Sequence, residues 1–247
     1  IDWGVRNFHG YTTDSGTTYN AYLILADKIT LIDTVKKGFE TELLSRISSV
    51  IDPEKIDYIV SNHSEPDHSG TLPDIIKAVK PEKVFASAMG VKALHEHFTD
   101  LGITLDAVKT GEKISLGNMN LSFIETRMLH WPDSMFSYLE EEKMLFSQDA
   151  FGMHMASSER FDDELSWEEL ERRAADYYAN IITLYSPHVA KLFKSVSESD
   201  LEFNYVAPDH GPIWRNMENF YKIFSMYGKW SDRSKNAFAE KVVLIYD

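Results

Sequence analysis

"SNHSEPDHSG", residues 61–70, sets two histidines and two carboxylates, His63, Glu65, Asp67 and His68, into six positions directly after the apolar run "IDYIV" of residues 56–60. A compact apolar run of this kind reads as a buried strand, so the four side chains are delivered to a strand end. Like-charged carboxylates repel, and burying them unpaired costs several kcal/mol or shifts their protonation. A solvated loop capping the next helix would carry them at little cost. A bound cation would give them a reason to be grouped. The rest of the chain decides between the two.

Upstream, "TTYNAYLILADKITLID" (17–33) reads as two β-rich runs around a polar Ala26-Asp27-Lys28 turn, a hairpin, and "FETELLSRISSVI" (39–51) has helical apolar spacing. Downstream, Ser69 is expected to cap the helix "GTLPDIIKAVK" (70–80), followed by the strand "KVFAS" (83–87) and the helix "MGVKALHEHF" (89–98). The first half therefore alternates strands with helices. The second half opens with β-rich runs, "ISLG", "MNLSFIETR", "FSYLEE" and "KMLFSQDAF". A long helical region spans residues 166–196, with Ser166 and Glu169 as a capping box and Pro187 breaking or kinking it. "FNYVAPDHG" (203–211) is a further strand and loop, and "MENFYKIFSMYGKW" (217–230) a helix whose aromatic stripe is core packing. "SDRSKNAFAE" (231–240) is linker-like, and "KVVLIYD" (241–247) is strongly β-forming.

The other histidines fall in telling places. His130 lies where "LSFIETRML" gives way to "WPDS", Asp149 ends "MLFSQD", and His210 follows "FNYVAPD". Each is at a strand end, and a sheet gathers its strand ends on one edge, so the seven residues can converge. Four His and three carboxylates exceed what one tetrahedral ion needs and suit two ions sharing a bridging carboxylate. Two divalent ions would be balanced by Glu65, Asp67, Asp149 and one bridging hydroxide, with neutral imidazoles. The chain has no cysteine, which excludes disulfides, thiolate zinc sites, iron–sulfur clusters and Cys nucleophiles. An imidazole and carboxylate shell without sulfur suits iron, manganese or zinc.

The 247 residues, 43% of them apolar, provide for a substantial core, and no apolar run of 18 or more residues predicts a membrane span. A net charge of −14 argues against a nucleic-acid partner. Neither a signal peptide nor an initiator Met opens the sequence; a cytoplasmic location and further N-terminal residues are expected.

The spacing "HSEPDH" resembles the metal motif of the metallo-β-lactamase superfamily, which in its hydrolases reads H-x-H-x-D-H; here Glu65 stands at the second His. That replacement is the mark of the flavodiiron proteins, the dioxygen and nitric oxide reductases of anaerobes. "DWGVRNFHGY", "GTTYNAYLI", "MLHWPDSMFSY", "SERFDDE", "YYANI" and "PDHGPIWR" are similar to stretches of the same family. The resemblance implies an α/β (α+β) fold, an αββα sandwich, with residues 1–230 as the diiron domain. Residues 231–247 would then be a linker and the first strand of a flavodoxin-like domain. It implies one iron on His63, Glu65 and His130, another on Asp67, His68 and His210, and Asp149 bridging together with a hydroxo or oxo species. In some members the residue matching His68 is turned away from the metal. It further implies a flavin mononucleotide in the flavodoxin domain, a rubredoxin or another reduced carrier as donor, and a head-to-tail homodimer or dimer of dimers. The substrate would be dioxygen, reduced to water, or nitric oxide, reduced to nitrous oxide.

Other residues carry weaker readings. His9, His154, Tyr177 and Tyr178 are candidates to line or assist the pocket, against a purely structural role for each. Asp133 and Glu125 are candidate acceptors behind the ligands or simple loop and strand acids, Asp33 is expected to be a structural acceptor, and His95, His97 and His188 surface residues. Two rivals are a standalone diiron protein that senses dioxygen with slow turnover and a zinc hydrolase of the same fold. Glu65 speaks against the second.

Overall fold

The computed structural model describes all residues except His9, Gly10, Glu198, Asp200 and 233–247. The expectations for His9 and for the strand "KVVLIYD" therefore lie outside the described residues.

Two five-stranded sheets stack face to face, each covered by helices on its outer side. A short ribbon, β1 (Asn7–Phe8) with β2 (Tyr11–Thr12), opens the chain. The first large sheet contains β3 (Tyr22–Ile24), β4 (Thr30–Ile32), β5 (Tyr58–Ser61), β6 (Lys83–Ser87) and β7 (Leu105–Val108), in that order across the sheet. The β3–β4 hairpin is antiparallel as expected, and β4 to β7 run parallel. Parallel strands need crossovers, supplied by α1 (Glu40–Ser48), then α2 (Pro66–Ser69) with α3 (Leu72–Val79), and α4 (Ala88–His97). The second sheet has the order β12-β11-β10-β9-β8, from β8 (Lys113–Ser115), β9 (Asn120–Glu125), β10 (Met135–Leu139), β11 (Met144–Gln148) and β12 (Tyr205–Pro208). Its outer face carries α5 (Trp167–Tyr177), α6 (Ser186–Ser197) and α7 (Met217–Ser231).

Three apolar clusters make the layers. Leu31, Ile59, Ile75 and Val84 pack one sheet against α1, α3 and α4. Ile32, Val60, Phe123 and Phe146 fill the space between the sheets. Phe151, Tyr177, Trp214 and Phe220 pack the other sheet against α5–α7. Ile59 and Val60 face opposite layers and both are fully buried. That is why "IDYIV" reads as an unbroken apolar run rather than an alternating one. The αββα sandwich is the expected architecture.

Three local expectations need correction. Ser69 does not cap α3; it ends α2, and its Oγ donates to the Ser64 carbonyl at 2.7 Å, while Thr71 occupies the cap position. At α5 only half of the capping box forms: Ser166 Oγ accepts from Glu169 N–H at 3.2 Å, while the Glu169 carboxylate turns to Arg172 and Arg173. Pro187 is not the break. The helix loosens earlier, into a π turn over Tyr178–Ile182 and a 3-10 turn over Thr183–Tyr185, and Pro187 sits in the first turn of α6, where a missing N–H is harmless. No helix among the described residues is long and apolar enough to cross a membrane.

Candidate metal centre

Four loops at the same end of the sandwich bring the seven residues together. The first runs from β5 into α2 and carries His63, Glu65, Asp67 and His68. Its sharp return depends on Gly70, where a Cβ would lie 2.3 Å from the Pro66 carbonyl oxygen. Asp133 clamps the start of this loop by accepting the Ser64 N–H at 2.6 Å. The second loop, from β9 to β10, carries His130, and Gln148 ties it to β11 by donating to the Leu129 carbonyl at 2.7 Å. Asp149 follows β11, its N–H held by Gln148 Oε1 at 2.7 Å. The fourth loop, after β12, carries His210. Asn20 holds it, donating from Nδ2 to the carbonyls of Pro208 (2.7 Å) and Gly211 (2.9 Å). Gly211 takes φ +79, where a Cβ would also strike Met153. Non-glycine residues Asp33, Met128, Gln148 and Phe151 adopt positive φ beside these loops, backbone strain of the kind that collects at functional sites.

The side chains sort into two adjacent groups, His63, Glu65, His130 and Asp149 in one, Asp67, His68 and His210 in the other. Asp149 reaches into both. Its Oδ2 lies 2.9 Å from His130 Nε2 and 3.3 Å from His63 Nε2. Its Oδ1 lies 3.0 Å from His68 Nε2 and 3.4 Å from His210 Nε2. Glu65 Oε2 is 3.2 Å from His63 Nε2 and 3.1 Å from His130 Nε2, and Asp67 is 3.3 Å from both His68 and His210. All four imidazoles thus turn Nε2 inward.

Acceptors behind the rings set this orientation. Asp133 Oδ2 lies 3.2 Å from His63 Nδ1, and the Thr18 carbonyl accepts from His210 Nδ1 at 2.6 Å. Glu125 has no such role: it pairs with Arg127 and the Thr110 backbone. Asp33 accepts the Asn62 N–H at 2.7 Å, the structural duty expected of it.

The electrostatics explain how so many acids share one buried space. Burial by itself would push Glu65, Asp67 and Asp149 toward the neutral form, but the surrounding imidazoles hold all three below the usual carboxylate range. Conversely, burial would lower His63, His68 and His130, and the carboxylates outweigh it and raise them. Asp133, against His63, is lowered to about 2 despite burial. The cluster is stable only with positive charge in its middle, whether protons on the rings or metal ions between them. Alignment favours ions. Asp67 Oδ1, His68 Nε2 and Asp149 Oδ1 are buried without a hydrogen-bond partner, although they lie 3.0–3.3 Å from one another across His68. Lone pairs converging at that spacing without hydrogen-bond geometry fit a common cation.

The wall beside the second group is aromatic. His154 lies face to face with Phe8 at 3.5 Å between ring centres, and edge-on to His210 and Tyr177 at 4.8 and 4.9 Å. Tyr11 hydroxyl bonds to His154 Nδ1. Burial keeps the His154 pKa well below its ordinary value, so the ring is neutral. Tyr177, also buried, keeps its proton. Tyr178 turns the other way, to Ser186 Oγ at 3.1 Å and to the rings of Tyr227 and Trp230. His95, His97 and His188 are exposed. The contributions of Phe8, Tyr11 and Asn20 escape a reading by residue type. Only the crowding of "NFHGY" and "YNAY" with aromatic and amide groups hinted at them.

Residues 17–211 match the family described as "ODP family beta lactamase". The chain is 46% identical to a rubredoxin-oxygen oxidoreductase of Megalodesulfovibrio gigas and 41% identical to a nitric oxide reductase of Moorella thermoacetica. Both alignments cover 100% of this chain and 61% of the relative, so the chain spans about three-fifths of their length. Among solved structures, a rubredoxin oxygen:oxidoreductase from Desulfovibrio gigas superposes with a TM-score of 0.91 at 45% identity, over 94% of this chain and 58% of that one. A flavodiiron protein from Giardia intestinalis superposes with a TM-score of 0.89 at 36% identity, over 94% and 56% respectively. The chain belongs to the ODP family beta lactamase, and its fold matches the metallo-β-lactamase-like part of flavodiiron proteins.

Proposed function

We propose that this chain is the diiron module of an oxidoreductase that reduces dioxygen to water, nitric oxide to nitrous oxide, or both. The observation that carries the reading is Asp149, one buried carboxylate with one oxygen in each of two adjacent His/carboxylate groups. A shared acid of this kind suits two ions a few ångströms apart. In this reading His63, Glu65 and His130 hold one iron, Asp67, His68 and His210 the other, and Asp149 bridges with a hydroxo or oxo species. Glu65 makes the first group harder and more anionic than three imidazoles would, which favours iron over zinc.

A bound ferrous pair would supply two electrons at one place: coupling two nitric oxide molecules to nitrous oxide and water takes those two, while reducing dioxygen to two waters takes four, the second pair coming from re-reduction. The protein's share is position and protons. Asp133 and the Thr18 carbonyl fix His63 and His210 with Nε2 forward, so the rings need no reorientation to bind. Phe8, His154 and Tyr177 close one side of the second group and keep bulk water from it. Tyr177, protonated throughout the physiological range, serves as a hydrogen-bond donor and not as a base.

Re-reduction in this reading comes from a flavin mononucleotide on a flavodoxin-like domain, with residues 231–247 as linker and first strand after a metal-binding domain of residues 1–230. The end of α7 at Ser231 and the greater length of the relatives support that boundary. A rubredoxin or other reduced carrier as donor, a head-to-tail homodimer and a cytoplasmic location belong to the same proposal.

The test is anaerobic reconstitution with ferrous ion, metal quantification and exposure to dioxygen or nitric oxide under a chemical reductant. Two irons per chain and catalytic consumption of either gas are expected. Two zinc ions in place of iron, with hydrolysis of an ester or lactam, would replace this reading by that of a hydrolase. Stoichiometric gas binding that decays slowly, without turnover, would replace it by that of a sensor.

A further inference from the structure

Asp209 has no duty in the reading above. It lies beside His210, is fully buried, and neither carboxylate oxygen has a hydrogen-bond partner. Its backbone is committed elsewhere: the N–H donates to the Gln148 carbonyl at 2.8 Å, and the carbonyl accepts the Asn20 N–H at 2.7 Å. Burying a carboxylate without hydrogen bonds costs several kcal/mol, and Leu would fill nearly the same space without that penalty. Asp33, buried just past β4 of the other sheet, adds like-charge repulsion to the cost. A compensating partner is therefore expected.

Asp209 Oδ2 lies 3.3 Å from His68 Nδ1, an ion-pair distance that a small ring rotation would align into a hydrogen bond. The His68 main chain is already fixed, its carbonyl accepting both the N–H (3.0 Å) and the hydroxyl (2.6 Å) of Thr34. Only the ring torsion remains to be set. His63 has Asp133 behind its Nδ1 at 3.2 Å, and His210 has the Thr18 carbonyl at 2.6 Å. For His68 the corresponding acceptor is Asp209.

We propose that Asp209 is the positioning residue of His68: its carboxylate accepts a hydrogen bond from Nδ1–H and holds Nε2 toward Asp67 and Asp149, which makes His68 a metal ligand in this protein. The pair Asp133–His63 and the pair Asp209–His68 then stand on either side of Asp149, each with an acid behind an imidazole of a different metal group. This rests on the two-ion reading, and the experiment separates the two.

The full chain is stripped of metal and titrated anaerobically with cobalt(II) against a chromophoric chelator, as wild type, Asp209→Asn and Asp133→Asn. Wild type should take two equivalents. Removing an acid that orients a ligating histidine costs about 10–100-fold in metal affinity. Asp209→Asn should lose that much at one equivalent only, and Asp133→Asn at the other. In the His68→Gln background Asp209→Asn should add no further loss, because its effect passes through that ring. Proton NMR of the cobalt protein supplies a readout that a packing role would not move. The hyperfine-shifted, slowly exchanging Nδ1–H of His68 should shift or exchange rapidly in Asp209→Asn, while those of His63 and His210 stay. Should Asp209→Asn not fold, Asp209→Ser carries the same expectations. Fewer than two equivalents in wild type would remove the two-ion reading, and this proposal with it. Two equivalents in wild type together with wild-type affinity and an unchanged His68 signal in the variant would overturn the role of Asp209 alone.

Discussion

Replacing Asp149 by Asn separates a shared ligand from an ordinary one. The substitution keeps the volume of a side chain that is 1% exposed and removes only its charge. Asp149 oxygens lie 2.9–3.4 Å from all four inward-facing imidazole nitrogens, two on each side. A cation among those nitrogens would therefore lose an opposite charge at close range, and so would its neighbour. Opposite unit charges about 4 Å apart at an effective dielectric of about 20 attract by about 4 kcal/mol. That is about a thousandfold in affinity, applied at both sites. Glu65→Gln and Asp67→Asn remove a charge from one group each, so each should weaken one equivalent and spare most of the other. Asp74→Asn, on the surface facing Lys37, should change nothing in metal content. Equilibrium ferrous titration with chelator competition, under strict anaerobiosis, reads all four variants. If Asp149→Asn loses a single equivalent, or no more than Glu65→Gln does, the sharing of this carboxylate is wrong.

Metal uptake should be pH-dependent, because carboxylates outweigh burial and raise the pKa values of His63, His68 and His130. A metal must displace the protons those raised rings favour, so affinity should rise with pH and binding should release protons; a calorimetric enthalpy that is the same in phosphate and Tris would contradict this. Glu65→His restores the hydrolase-type spacing and should shift the iron-to-zinc ratio toward zinc when both are offered; an unchanged ratio would remove Glu65 as the source of iron preference. Tyr177→Phe should leave metal content intact and slow oxidation of the ferrous protein by about tenfold, the worth of one hydrogen bond of about 1.4 kcal/mol, in stopped-flow mixing with dioxygen. Trp214→Phe removes the bond from indole Nε1 to the Phe151 carbonyl at 3.0 Å and should lower stability by about 1–3 kcal/mol in urea unfolding; an unchanged midpoint would show that the carbonyl finds another partner.

The seven inward residues were legible in the sequence because each sits at the end of an apolar run, and strand ends converge whatever the loops between them do. "IDYIV" and "MLFSQ" announce buried strands by composition alone; His63 follows the first by three positions and Asp149 follows the second directly. The resemblance carried the division into two metal groups, which spacing alone left open. What stayed illegible depended on long-range packing. Nothing local distinguishes Asp209, which faces His68 across the fold, from Asp163, which faces solvent and Arg215. Tyr177 and Tyr178 are adjacent, one ending α5 and the other opening the π turn, and identical in type. Only the packing of α5 against α7 sends one ring to His154 and the other to Trp230. The region from residue 178 to 185 carries helical spacing, so its loosening into π and 3-10 turns ahead of Pro187 could not be read from periodicity. Strand β7, "LDAV", is too short and too mixed in polarity to announce itself, and it exists because β6 offers it a parallel edge.

X-ray absorption at the iron edge of anaerobically reconstituted protein addresses the pair of ions itself. Back-scattering from a second iron about 3.5–4 Å away, with nitrogen and oxygen neighbours only, is the expected spectrum. A single iron without a metal neighbour would contradict it.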